Sequence, residues 1–106
     1  MRFYHNPRCS KSRQALALLE QQGCLPDVIR YLEEGVQAED VNAIAVHANS
    51  VRRKDLPEGA NGDVSTVEGR AELIQAHPRC MERPVLIKNG VAVIGRPPED
   101  VLTLLE

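Results

Sequence analysis

Aromatic side chains are almost absent: Phe3, Tyr4 and Tyr31 are the only three in 106 residues, and there is no tryptophan. Modules that stack nucleic-acid bases need exposed rings, so no nucleic acid is expected as a partner. A formal net charge of −2 adds no general attraction to phosphate backbones. Long apolar runs are missing as well. No segment approaches the ~20 residues that a membrane helix requires, so no membrane association is expected. The opening Met1-Arg2-Phe3-Tyr4-His5 has no apolar h-region and no small-residue cleavage site. Cysteine is scarce and odd in number (Cys9, Cys24 and Cys80), which is not the pattern of a secreted disulfide framework. A reducing cytoplasm is the expected location.

What is present is an ordinary globular composition, 42% apolar and 26% charged. The length suits one domain, residues 1–106, able to close a core without disulfide staples. Ten of the thirteen basic residues are arginine. Codon bias would explain the count alone, whereas a bidentate grip on a tetrahedral oxyanion would explain it chemically. The positions of the arginines have to decide.

Residues 2–5 read as a short buried strand that enters a turn at Asn6-Pro7. Ser10 to about Gln22 reads as a helix with Ala15, Leu16, Leu18 and Leu19 inward, stopped at Gly23. Asp27 to Tyr31 reads as a second strand, parallel to the first because a helix joins them. Two helices follow, from about Ala38 to Ala48 and from about Thr66 to Ala76. The polar stretch Arg52–Val64 between them reads as a loop. Pro84–Lys88 and Val91–Ile94 form a hairpin across Asn89-Gly90, a strong type I′ turn signal. A last helix starts at Pro98. The order predicts an α/β domain with a four-stranded mixed sheet covered by helices, which is the thioredoxin-like arrangement.

Cys9 stands immediately before the first helix. The open N–H groups there carry partial positive charge, which stabilises a thiolate and can cradle an oxyanion. Arg8, Lys11 and Arg13 add positive charge, and His5 offers a switchable proton. The plain alternative for Cys9 is a small buried hydrophobe. Ser12 completes a C-x-x-S motif that cannot form a disulfide. Cys24 lies roughly 22 Å away along the same helix, beyond disulfide reach. Cys80, four residues before Pro84, is either a resolving thiol or incidental. A C-x₅-R phosphatase loop is excluded because position 15 is alanine. The set His5, Cys9, His47, His77 and Cys80 lacks the close-paired spacing of a zinc site, so no metal is expected.

The run Tyr4-His5-Asn6-Pro7-Arg8-Cys9-Ser10-Lys11-Ser12-Arg13 resembles the opening of the glutaredoxin-coupled arsenate reductases, the ArsC family. The resemblance continues at Tyr31-Leu32, Arg53-Lys54, Glu82-Arg83-Pro84-Val85 and Gly95-Arg96-Pro97, and it covers essentially the whole chain. It implies a thioredoxin-like fold with a helical insertion. It also implies Cys9 as nucleophile, His5 helping to lower the thiol pKa, Ser12 beside the thiol, Arg53, Arg83 and Arg96 as oxyanion ligands, and a cis bond before Pro84. A one-residue shift would exchange Arg53 for Arg52. The implied reaction is reduction of arsenate with glutathione as co-substrate and glutaredoxin as partner, by a monomer with no bound cofactor. Two other functions remain open. One is a thiol oxidoreductase acting on glutathione mixed disulfides, and the other is a non-catalytic regulator that binds RNA polymerase.

Overall fold

The sheet is built in two stages around its first strand. A computed structural model describes residues 1–106. Strand β1 (Arg2–Tyr4) pairs in parallel with β2 (Asp27–Ile29) through helix α1 (Ser10–Gln21), as the helical crossover demands. On its other side β1 pairs antiparallel with β3 (Val85–Lys88), which turns back into β4 (Val91–Ile94). The order is β2-β1-β3-β4, a four-stranded mixed sheet of thioredoxin-like type. Asn89 (φ 52°) and Gly90 (φ 76°) both occupy the left-handed region, as a type I′ hairpin requires.

Alternation along the strands divides the core. Phe3 and Leu86 face α1, where Ala15 and Leu19, with Val101 from the C-terminal segment, complete one apolar cluster. Tyr4, Val85 and Ile87 face the other way and meet Ile44, Leu73, Ile74 and Met81. That second layer is the insertion, helices α2 (Tyr31–Glu34), α3 (Ala38–Ala45) and α4 (Val67–Ala76). Asp40, in the first turn of α3, is nearly fully buried. It accepts two 2.7 Å bonds from Arg2 and one from the Tyr4 hydroxyl, which ties the insertion to β1.

Several boundaries differ from the sequence reading, each for a local reason. Strand β2 stops at Ile29 because the Glu34 carboxylate accepts the Arg30 N–H at 2.9 Å, starting a helical turn that carries Tyr31 into the core. Helix α3 stops at Ala45, whose carbonyl accepts a 2.7 Å bond from the buried Arg70 guanidinium. The loop after it contains a 3₁₀ turn at Arg53–Asp55, and a second follows α4 at Pro78–Cys80. The final segment, Pro98–Leu105, winds as 3₁₀ and not as α-helix. There the Thr103 hydroxyl donates to the Asp100 carbonyl at 2.7 Å, competing with the backbone ladder. No helix is long and apolar enough to cross a membrane.

Candidate active site

The turn after β1 sets Cys9 as the N-cap of α1. The Cys9 N–H donates to the Asn6 carbonyl at 3.0 Å, and the Asn6 side chain accepts the Arg8 N–H at 3.0 Å. The Cys9 backbone is extended (φ −92°, ψ 122°), and its carbonyl accepts the first helical bond from Arg13. Its sulfur makes no capping hydrogen bond of good geometry, so the helix-end amides act on it as dipoles. Burial opposes ionisation of this thiol. The Ser12 N–H, the Arg83 side chain and the Lys11 N–H outweigh it and hold the thiol below its ordinary value.

Ser12 is fully buried one turn into the helix. Its hydroxyl accepts the Asn6 N–H at 3.0 Å and pairs with His5 Nδ1 at 2.7 Å, which locks the turn against the helix start. Burial, then Arg30 and Arg13, push the His5 ring below its usual value. At neutral pH His5 is therefore uncharged; it contacts Ser12 and, contrary to the expectation, is not among the groups that lower the Cys9 thiol.

The hairpin delivers two arginines to the same edge. Val85 pairs with Ile94, and beyond them the Arg96 Nε–H donates to the Arg83 carbonyl at 2.9 Å. Arg96 Nη2 lies 3.7 Å from the Cys9 sulfur. The peptide bonds before Pro84 and Pro97 are both cis. Gly95 sits between these arginines without room for a side chain, since a Cβ there would lie 2.8 Å from Pro84 Cγ.

The third arginine of this cluster is Arg52. Arg53, which the resemblance favours, opens the 3₁₀ turn and is exposed to solvent. Val51 forms an antiparallel bridge with Met81, flanked by Arg52 N–H to Cys80 carbonyl and Glu82 N–H to Ser50 carbonyl bonds of 2.7 Å each. Val51 and Met81 turn toward the core, so Arg52 and Glu82 turn to the opposite side together. Asp55 Oδ2 lies 3.3 Å from both Arg52 Nε and Arg83 Nη1. Glu82 Oε1 lies 3.1 Å from Arg96 Nε and 3.9 Å from Arg52 Nε.

Two guanidinium nitrogens in this cluster, Arg52 Nη1 and Arg83 Nε, are buried without a hydrogen-bond partner. So is the hydroxyl of Tyr31, a side chain electrostatically coupled to Arg83, Cys9 and Arg52. Unpaired buried donors are costly and rare, and three of the protein's four such atoms belong to this one cluster. A cavity of about 250 Å³ opens beside them, lined by Asn6, Tyr31, Leu32, Asp55, Arg79 and Arg83. Chemically, a thiol held below its ordinary pKa lies against Arg83 and Arg96, in a cluster whose unpaired donors have spare capacity for an anion.

Residues 4–104 match the model of the ArsC family. The chain belongs to the ArsC family. It is 42% identical to the Escherichia coli (strain K12) protein YfgD over 99% of this chain and 96% of that one. It is 40% identical to an arsenate reductase of Haemophilus influenzae, with 97% of each chain covered. Among solved structures, an arsenate reductase from Vibrio cholerae superposes with a TM-score of 0.75 at 37% identity, covering 97% of each chain.

Within this ArsC-family site, the structure brings together Cys9, His5, Ser12, Arg83, Arg96 and Pro84, and leaves Arg53 outside. Tyr31, Asp55 and Glu82 were not singled out as site residues from the sequence. Tyr31 and Glu82 do stand inside matched family segments, and that was the available signal. Cys80 is fully buried, and burial, with Asp55 adding to it, pushes its thiol up to about 11. Cys24, just past the far end of α1, is a free thiol that donates a hydrogen bond to the Met1 sulfur at 3.4 Å. Nowhere do three His, Cys, Asp or Glu side chains converge in a metal-binding group.

Proposed function

We propose that this protein reduces arsenate to arsenite in the cytoplasm, acting as a monomer with glutathione and glutaredoxin as electron donors. The observation that carries this reading is the set of unpartnered donors, Arg52 Nη1, Arg83 Nε and Tyr31 OH, grouped with a thiol held below its ordinary pKa. The arsenate-reductase relatives support the choice of oxyanion.

Arsenate binds between Arg52, Arg83, Arg96 and the start of α1. The Cys9 thiolate attacks arsenic, a sulfur–arsenic bond forms, and one arsenate oxygen leaves as water after protonation. The guanidiniums stabilise the charge that builds on the remaining oxygens. Glutathione then attacks the adduct, arsenite departs with the electron pair, and glutaredoxin removes the glutathione to restore Cys9. Over the cycle two thiols become one disulfide, which supplies the two electrons that arsenic gains, and no bound cofactor takes part.

The test is arsenite production from arsenate, glutathione and glutaredoxin, run beside Cys9→Ser. Turnover that vanishes in Cys9→Ser supports the reading. No turnover by the wild-type protein, with Cys9 still rapidly alkylated at pH ~6, would leave an activated cysteine and remove arsenate as its substrate.

A further inference from the structure

Three guanidiniums cannot crowd around one anion site without something to hold them apart and aim them. Like charges at contact repel, and long side chains lose considerable rotamer entropy when fixed. In this protein two carboxylates stand among them. Asp55 joins Arg52 to Arg83, and Glu82 joins Arg52 to Arg96. Each comes from a different segment: Asp55 closes the 3₁₀ turn, and Glu82 belongs to the strand-like bridge before Pro84.

The pattern of contacts is informative. Glu82 lies 3.1 Å from Arg96 Nε as an ion pair, while the Nε hydrogen goes to the Arg83 carbonyl and Nη2, on the same edge, faces the Cys9 sulfur. Asp55 engages Arg52 through Nε and leaves Nη1 unspent. It engages Arg83 through Nη1 and leaves Nε unspent. On Arg52 and Arg83, a carboxylate takes one nitrogen and another donor is kept free. A carboxylate that competed for the anion site would occupy those free donors itself.

We infer that Asp55 and Glu82 are positioning residues for oxyanion binding, fixing Arg52, Arg83 and Arg96 by ion pairs so that the uncommitted donors of Arg52 and Arg83 stay available to an anion. This rests on the oxyanion-binding reading above. Glu82 is the more central of the two, since its carboxylate also accepts the Arg83 N–H at 3.2 Å and so fixes the segment that carries Arg83. Oxyanion affinity is therefore set by acidic residues that never touch the anion.

The experiment measures how well arsenate, phosphate or sulfate protects Cys9 from iodoacetamide, in wild type, Glu82→Gln, Glu82→Ala and Asp55→Asn. Glutamine keeps an oxygen acceptor for the Arg83 N–H and a polar group beside Arg96, whereas alanine keeps neither. Glu82→Ala should weaken protection by about tenfold or more, the scale of a lost charge-assisted hydrogen bond. Glu82→Gln should recover most of it, a rescue that a merely structural role would not produce. Asp55→Asn, which likewise keeps an acceptor, should lie close to Glu82→Gln. Unchanged or tighter binding in Glu82→Ala would overturn the inference and make the carboxylate a competitor. If no oxyanion protects the wild-type protein, the oxyanion site itself is refuted, and the positioning role falls with it.

Discussion

Val51 sits opposite Met81 in a single antiparallel bridge, and that pairing decides which of two adjacent arginines joins the thiol cluster. With Val51 turned into the core, Arg52 emerges beside Glu82 and Asp55, while Arg53 is carried out to solvent by the 3₁₀ turn. Arg52→Ala is therefore expected to raise the KM for arsenate by about tenfold or more, with a much smaller change for Arg53→Ala. Steady-state kinetics of the two variants side by side check this. The reverse order would mean that Arg53 swings inward when the anion binds.

The acidity of Cys9 gives a second prediction. The thiolate is the charged form, and the N–H of Ser12, Arg83 and the N–H of Lys11 favour it more than burial opposes it. The midpoint of alkylation rate against pH should accordingly lie below the ordinary thiol value of ~8.5. His5, neutral near pH 7, should add no separate inflection between pH 6.5 and 8. A midpoint at or above ~8.5 would show that burial dominates.

Cys80 should take no part in turnover. Its thiol is buried and pushed up to about 11, so it stays protonated and shielded at neutral pH. Cys80→Ala is expected to keep arsenite production and to lose on the order of 1 kcal/mol of stability from the vacated space. Mass spectrometry after brief alkylation should find Cys9 modified and Cys80 unmodified until the protein is unfolded. Loss of turnover in Cys80→Ala with the fold intact would restore it as a resolving thiol.

The Asp40 carboxylate predicts how stability depends on pH. Burial works against its charge, but the hydrogen bonds from Arg2 and Tyr4 prevail, and its pKa lies below the unfolded value. A depressed carboxyl contributes stability that is present above ~3.9, the unfolded pKa, and lost as pH falls through the lower folded value. Asp40→Asn should destabilise by about 1–3 kcal/mol at pH 7, and the gap from wild type should narrow toward pH 2. Urea unfolding at both pH values tests this, and an equal gap at both would assign the loss to packing.

Features governed by near neighbours were legible in the chain. The cysteine before a helix, the Asn89-Gly90 hairpin and the parallel pairing of β1 with β2 follow from local propensity or from a short crossover, and the structure has all three. The pairing of Arg83 with Arg96 was equally readable, because a two-residue turn sets the hairpin register. The end of β2 was not: Arg30 and Tyr31 look like strand residues until the Glu34 carboxylate takes the Arg30 N–H.

By itself, then, the sequence determined the thiol at a helix start, the strands with their two local pairings and the family, since each is carried by short runs or short connections. Tertiary structure alone decided that Arg52 joins the cluster in place of Arg53, that Asp55 and Glu82 hold the guanidiniums, and that Cys80 is sealed in the core. Those outcomes depend on a bridge between Val51 and Met81, far apart in the chain. Alternation along a strand turns a one-residue change of register into a change of face, and no pattern of near neighbours records which register the folded chain selects.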